Sequence, residues 1–398
     1  MVIYNDEQEY IMSEFIKFMR DPNEQIFQYS GGPGTGKTTI LLEMLRRARV
    51  DLKRSAPMAY IGQAAINMRM NGLTNAKTIH SWIYEPANVL KVDSYGNVIM
   101  DTYLNRPKLG MSFVPKPFLQ DIDLIIVDEG GSVPYSLKHD IEKHGIKILV
   151  TGDLDQLPPV GDKPAYLYEG KVYRLTQIMR QKEGSNIVQL CHRAKLGLPI
   201  HNGFYGDVLV IDYDELTDDM ILSSEVIICG KNETRDMLNK YVRKELLKID
   251  YDLPMRGERV ICRKNNWSIE VDGINLANGL VGTVMNQPGV HGFNGENFII
   301  DFLPNNLNTT FRSIECDYQY FISEHSRRQE LKLNKYNQGE KFEFAYATTC
   351  HLSQGSQYRK GIYIEEYLNP QIQNNLNYTG LSRFRDMCIY VKKRKSFF

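Results

Sequence analysis

Apolar residues in the first part of the chain gather into short unbroken runs rather than long stripes. Gln25-Ile26-Phe27-Gln28-Tyr29, Met58-Ala59-Tyr60-Ile61, Leu124-Ile125-Ile126-Val127 and Ile146-Lys147-Ile148-Leu149-Val150 each read as a strand. Residues 38–49, rich in Leu, Met and Arg, read as a helix. Strands that are apolar on both faces and alternate with helices predict a parallel sheet covered on both sides. Residues 85–118 break the pattern. Val89-Leu90-Lys91-Val92, a turn at Asp93-Ser94-Tyr95-Gly96-Asn97 and Val98-Ile99-Met100 predict an inserted β-hairpin.

A second α/β block opens near Glu225-Val226-Ile227-Ile228-Cys229 and continues through a helical stretch at 233–248. It resumes at Phe344-Ala345-Tyr346-Ala347 and closes with a strand at 387–391. Between these pieces, 254–339 is rich in β-branched residues, Gly and Asn. Its short strands at 258–263, 280–285, 297–302 and 312–321 predict a small β-barrel. The resulting map has two α/β lobes with one insert each. Residues 1–84 and 119–200 form the first lobe, split by 85–118; residues 201–253 and 340–398 form the second, split by 254–339.

Composition changes this picture little. A chain of 398 residues exceeds one ordinary domain, in keeping with two lobes. The 48 basic and 48 acidic side chains cancel, which neither favours nor excludes nucleic acid, because a basic groove can exist on a neutral molecule. No run of eighteen uncharged apolar residues is present, so no membrane span is expected. The N-terminus lacks the basic-then-apolar pattern of a signal peptide. Cys191, Cys229, Cys262, Cys316, Cys350 and Cys388 form no C-x-x-C pair, which suits free thiols in a reducing cytosol. A soluble, cytoplasmic protein is expected.

The chemistry is carried by Gly31-Gly32-Pro33-Gly34-Thr35-Gly36-Lys37-Thr38, followed by Thr39, between a strand and a helix. Glycines at this spacing let backbone N–H groups turn inward onto phosphates; Lys37 reaches the terminal phosphates and the Thr38 hydroxyl joins Mg²⁺. The helix start adds its positive dipole end. A glycine-rich turn with a chance lysine would not need that strand and helix around it. Phosphoryl transfer also needs an acid for the metal and a group that orients water. Asp128 and Glu129, at the end of an apolar strand, supply both: Asp128 for Mg²⁺, directly or through water, and Glu129 for the attacking water. ATP hydrolysis is the reading, rather than transfer to a small acceptor.

Further motifs follow in order. They are Tyr60-Ile61-Gly62-Gln63-Ala64-Ala65, Lys77-Thr78-Ile79-His80-Ser81, the third motif at 152–160 (Gly152-Asp153-Leu154-Asp155-Gln156-Leu157-Pro158-Pro159-Val160), 175–181 around Arg180, 344–356 and Asn377-Tyr378-Thr379-Gly380-Leu381-Ser382-Arg383. In this order they resemble a superfamily 1 DNA helicase of the 5′→3′ branch, the RecD-like and phage Dda-like enzymes, over nearly the whole chain. The resemblance implies two RecA-like P-loop NTPase lobes, a hairpin insert in the first and an SH3-like β-barrel insert in the second; residues 276–284 resemble the start of that barrel.

By the same resemblance, Gln8 reads adenine, although a helix start capped by Asn5 or Asp6 explains the same residues. Gln156 senses the γ-phosphate, Arg180 and Arg383 act as arginine fingers, and Gln354 and Gly355 lie near the nucleotide. Tyr378 packs near the base or ribose, or is simply a core tyrosine. Gln63, Thr78 and His80 in the first lobe and Thr348, His351 and Ser353 in the second face the DNA. Gln63 stands where many relatives have a basic residue. Gly130 and Gly131, where relatives often carry a small residue and then Ser or Cys, predict a more flexible turn after the acids. Tyr95 at the hairpin tip is a candidate strand-splitting wedge, with an exposed turn residue as the plainer alternative.

The implied cofactors are ATP and Mg²⁺. The implied partners are single-stranded DNA, fork DNA and replication or recombination proteins, for a motor active as a monomer in a bacterial or phage-infected cytosol. A translocase that does not unwind, an RNA helicase and a regulatory P-loop switch are the competing classes. Two arginine-finger motifs in one chain speak against the switch, which usually borrows its finger from a partner.

Overall fold

The computed structural model describes residues 3–90, 98, 100, 101, 106, 107, 109–178, 185–291, 296–333 and 339–392. Its first sheet runs, edge to edge, Val172–Leu175, Ile26–Gly31, Lys147–Gly152, Leu124–Asp128, Ser55–Ala59 and Lys77–Thr78, with every neighbouring pair parallel. The apolar runs explain why it forms. Alternate residues of one strand serve opposite faces. Leu124 and Ile126 pack with Phe15, Ile40 and Met44 under the helices Asp6–Arg20 and Lys37–Arg47. Ile125 and Val127 pack with Ile79, Ile83 and Tyr166 on the other side.

The second sheet runs Gly203–Tyr205, Val208–Asp212, Phe384–Lys392, Tyr358–Ile364, Ile227–Cys229 and Ala347–Thr349, parallel except for its first strand. The sequence places 344–347 in one strand of this lobe. The structure divides it: Phe342–Phe344 pairs antiparallel with Arg259–Cys262, and the parallel sheet resumes at Ala347–Thr349. A third, antiparallel sheet orders Val290–His291, Asn297–Pro304, Val281–Val284, Arg259–Cys262 and Phe342–Phe344, with Phe311–Asp317 also paired to Asn297–Pro304. Phe298, Ile300, Phe302, Phe311 and Phe342 fill its interior.

In the segment 85–118 the pairing differs from expectation. Tyr84–Leu90 pairs with Leu109–Pro115 in a long antiparallel ribbon, and Met100–Asp101 pairs with Arg106–Pro107. A turn sequence marks where a chain can reverse, but the register is chosen by the partner strand. The turn at 93–97, including Tyr95, lies outside the described residues. Among the described residues no helix is long and apolar enough to cross a membrane. All six cysteines are buried and unpaired.

Candidate nucleotide and nucleic-acid sites

Strand Ile26–Gly31 delivers the chain into the glycine loop, and helix Lys37–Arg47 leaves it with its amino end facing the loop. Gly36 has φ of 83°, which favours glycine, and a Cβ there would stand 2.7 Å from Gln8 Nε2, so the glutamine would have to move aside. Thr35 Oγ1 donates to the Gly32 carbonyl at 2.9 Å. Lys37 Nζ donates to the Gly31 carbonyl and, at 3.2 Å, to that of Gly32, so the lysine folds over the loop its phosphates would occupy. A cavity of about 650 Å³ opens in front of the loop, a size suited to a nucleotide.

Gly32, Pro33, Gly34, Gly36, Lys37, Thr38 and Thr39 line the cavity together with Asp128, Glu129 and Gln156 of the first lobe. Gly355, Ser356 and Arg383 of the second lobe close it from the other side, with Arg385, which the sequence reading missed. Arg383 is buried; its Nε donates to the Thr379 carbonyl at 3.1 Å and its Nη2 to Ser382 Oγ at 2.9 Å. Arg180 lies outside the described residues.

Burial, and after it the Glu129 carboxylate, push the Asp128 carboxyl up to about 7, against the opposing pull of Lys37. The Glu129 N–H donates to Asp128 Oδ1 at 2.9 Å, and Glu129 itself sits at φ 52°. Hard oxygen donors and a buried carboxyl that resists ionisation without a cation fit Mg²⁺ at Thr38 and Asp128. The turn that follows is not loose. A Cβ on Gly130 would meet Val150 Cγ1 at 2.4 Å, so the glycine permits close packing rather than motion, and the flexibility expected of Gly130 and Gly131 gives way to a buried turn.

Gln8 takes the second of its two sequence readings, the capped helix start. Its backbone N–H donates to Asn5 Oδ1 at 2.8 Å and its Oε1 accepts from the Asn5 N–H at 3.2 Å, which caps the helix. Its Nε2 donates to the Thr35 carbonyl at 3.1 Å, so the same side chain braces the phosphate loop, and it does not line the cavity.

Tyr378 also stays off the cavity wall. Its hydroxyl donates to Asp153 Oδ2 at 2.7 Å, and Gln156 Nε2 approaches the same oxygen at 3.4 Å. That hydroxyl stands 3.0 Å from where a Gly32 Cβ would be, at the phosphate end rather than beside a base or ribose. The third-motif loop is further fastened to the second lobe. Leu157 N–H donates to Thr379 Oγ1 at 3.0 Å, and Gln354 Nε2 donates to the Leu157 carbonyl at 2.7 Å. Asn375 Nδ2 donates to the Asp155 carbonyl at 2.9 Å. Asp153 and Thr379 were visible as members of motifs; Asn375 carries no signal that separates it from ordinary helix residues.

The residues expected to face DNA divide by burial. Gln63 is buried and its Oε1 meets no hydrogen-bond partner. Neighbouring Gly62 is covered by Ala277 and Leu280, and Ala64 by Gly355. Thr78 caps the helix Ile79–Ile83 and shares a 2.8 Å hydrogen bond with Ser81 Oγ. Thr348 is buried with its Oγ1 unpartnered. Ser353 is fully buried, and its hydroxyl donates to the Cys350 carbonyl at 2.9 Å, so it is committed inside the lobe and not presented to a strand. His80 and His351 stay partly exposed, and burial lowers the pKa of each.

The fold and this cavity define a P-loop nucleotide-binding protein of two α/β lobes. The family model described as an AAA domain matches residues 19–162. An uncharacterized protein of Methanocaldococcus jannaschii is 31% identical over 149 residues, 34% of this chain and 12% of that protein. The chain thus spans only a small part of that relative's length. The ATP-dependent DNA helicase Pif1 of Campylobacter jejuni is 23% identical over 445 aligned positions, covering 95% of this chain and 93% of that one. A crystal structure of Bacteroides Pif1 bound to ssDNA superposes with a TM-score of 0.55 at 18% identity, covering 98% of this chain and 92% of that one. These likenesses support the resemblance to superfamily 1 helicases of the 5′→3′ branch, and the first parallel sheet flanked by helices fits a RecA-like fold.

Proposed function

We propose that the protein is an ATP-dependent DNA helicase that moves 5′→3′ on single-stranded DNA and separates duplex DNA at forks. The observation that carries this reading is the cavity shared by two lobes, with Lys37, Asp128, Glu129 and Gln156 on one side and Arg383 on the other. A cleft built this way ties hydrolysis to the distance between the lobes. Lys37 leaves its loop carbonyls for the phosphates, Glu129 orients water, and Arg383 meets charge developing on the γ-phosphate. Mg²⁺ held by Thr38 and Asp128 would offset charge on the phosphates.

Gln156 and Tyr378, both on Asp153, carry closure from the phosphate end to the helix Gln373–Leu381. The ribbon at 85–118 and the antiparallel sheet, read as an SH3-like insert at 254–339, serve the strand. The protein acts as a monomer in the cytosol during replication, recombination or repair. Strand displacement on a 5′-tailed duplex tests the reading, with 3′-tailed duplex and a 5′-tailed RNA duplex beside it. ATP-dependent release from the 5′-tailed DNA alone is expected. ATPase stimulated by single-stranded DNA without release would make it a translocase, and release only from 3′ tails would overturn the polarity.

A further inference from the structure

Four aromatic rings from sequence-distant segments form a string at the junction of the first lobe, the ribbon and a separate two-stranded hairpin, Asn266–Val271 paired with Ile274–Leu276. Tyr60, just past strand Ser55–Ala59, stands 6.1 Å from His80 in the short helix Ile79–Ile83. His80 lies nearly parallel to Trp267, 5.7 Å away at 20°, on the hairpin strand Asn266–Val271. Trp267 receives Phe113 of the ribbon edge-on at 6.0 Å. Tyr84 stacks beside His80 at 5.4 Å and 20°.

Ring contacts that served only to glue elements together would be sealed from water. Here both ends are open: Tyr60 is 36% and Phe113 39% exposed. Two lysines adjoin the segments that carry these rings. Lys77 adjoins Thr78, and Lys116, three residues beyond Phe113 and close enough to feel the Lys77 charge, donates its Nζ to the Trp82 carbonyl at 3.0 Å while facing Glu85. Exposed rings interleaved with cations are the chemistry that holds single-stranded nucleic acid, with stacking on the bases and charge on the backbone.

We propose that Tyr60, His80, Trp267 and Phe113 form a stacking platform for the bases of single-stranded DNA, to which the two-stranded hairpin contributes Trp267 and the ribbon Phe113. The inference rests on the helicase reading and assigns it a base-binding surface. Bases continue the string at its exposed ends, and Lys77 meets a phosphate. Only rings with a π-face matter, so the platform tolerates any sequence, as a motor on DNA requires.

The chain has two tryptophans, Trp82 and Trp267, which makes the platform directly observable. Binding of dye-labelled oligo(dT) is followed by anisotropy over a series of salt concentrations, and tryptophan emission is recorded in parallel. Saturating oligo(dT) is expected to quench the emission of wild type and of Trp82→Phe, but not of Trp267→Phe. Trp267→Ala should weaken binding about 5- to 100-fold with an unchanged salt slope, while Trp267→Phe recovers most of the affinity. Lys77→Ala should instead flatten the slope of log K against log salt by about 0.7. Anisotropy that saturates with no change in Trp267 emission overturns the platform and leaves the helicase reading standing. The same holds if Trp267→Ala, folded by circular dichroism, binds as wild type. Wild type that does not bind oligo(dT) at all overturns both.

Discussion

Glu129 occupies an uncommon conformation for a residue with a Cβ, at φ 52°, and the strand before it ends in the half-buried Asp128. Both adjacent carboxylates line the cavity, and the surrounding fold must hold Glu129 in a sparsely populated backbone region. Glu129→Gln keeps the shape and removes the charge proposed to polarise water. It should bind ATP with Mg²⁺ as wild type does and hydrolyse it about 10²–10⁴-fold more slowly, as read by single-turnover hydrolysis. Turnover at the wild-type rate would assign the water to another residue.

At the scale of elements, the antiparallel sheet is bolted to the second lobe by charge. Glu343, on strand Phe342–Phe344, is 4% exposed and pairs with Arg235 at 3.1 Å and Arg263 at 3.2 Å, with Arg328 at 3.7 Å. Asp236 completes the group, 2.8 Å from Arg235 and 3.2 Å from Arg328. Burial alone would raise the Glu343 pKa, but Arg263, Arg235 and Arg328 outweigh it and hold the carboxyl down at about 2.

A carboxylate with a depressed folded pKa contributes stability above its unfolded value, and that contribution is lost as pH falls from about 4.5 toward 2. Glu343→Gln leaves buried guanidinium groups short of a partner and should cost about 3–5 kcal/mol. It should also flatten the loss of stability below pH 4.5, measured by urea unfolding at pH 7 and pH 4. A variant as stable as wild type at pH 7 would show that Asp236 suffices. Strand patterning could not reveal this joint, because Phe342-Glu343-Phe344 reads locally as part of the run that re-enters the second lobe.

Across the whole molecule, the nucleotide cavity exists only where the lobes meet, so its far wall is the most informative part to remove. Arg383→Ala should retain ATP binding, measured with a fluorescent analogue, and lose about 10³–10⁵ in turnover. Retained turnover would leave Arg383 as a packing residue held by Thr379 and Ser382.

The phosphate loop, the acids after strand Leu124–Asp128 and the most apolar strands of the two lobes were legible in the chain, because each is a pattern among consecutive residues; Val172–Leu175, Val208–Asp212 and Tyr358–Ile364 were not read as strands. Apolar runs force burial on both faces, and glycines at fixed spacing admit φ values that other residues resist. Long-range packing decided the rest. Ser353 and Gln63 match a strand-facing motif yet lie buried: Ser353 gives its hydroxyl to the Cys350 carbonyl, and Gly62 and Ala64 on either side of Gln63 meet Ala277, Leu280 and Gly355 from more than two hundred residues away. The ribbon's register, the break between Phe344 and Ala347, and the meeting of His80 with Trp267 are likewise properties of surfaces brought together by folding. A residue's type and spacing limit what chemistry it can perform. Whether it meets solvent, a strand or another side chain is set by the element that packs against it, and no local pattern encodes that element.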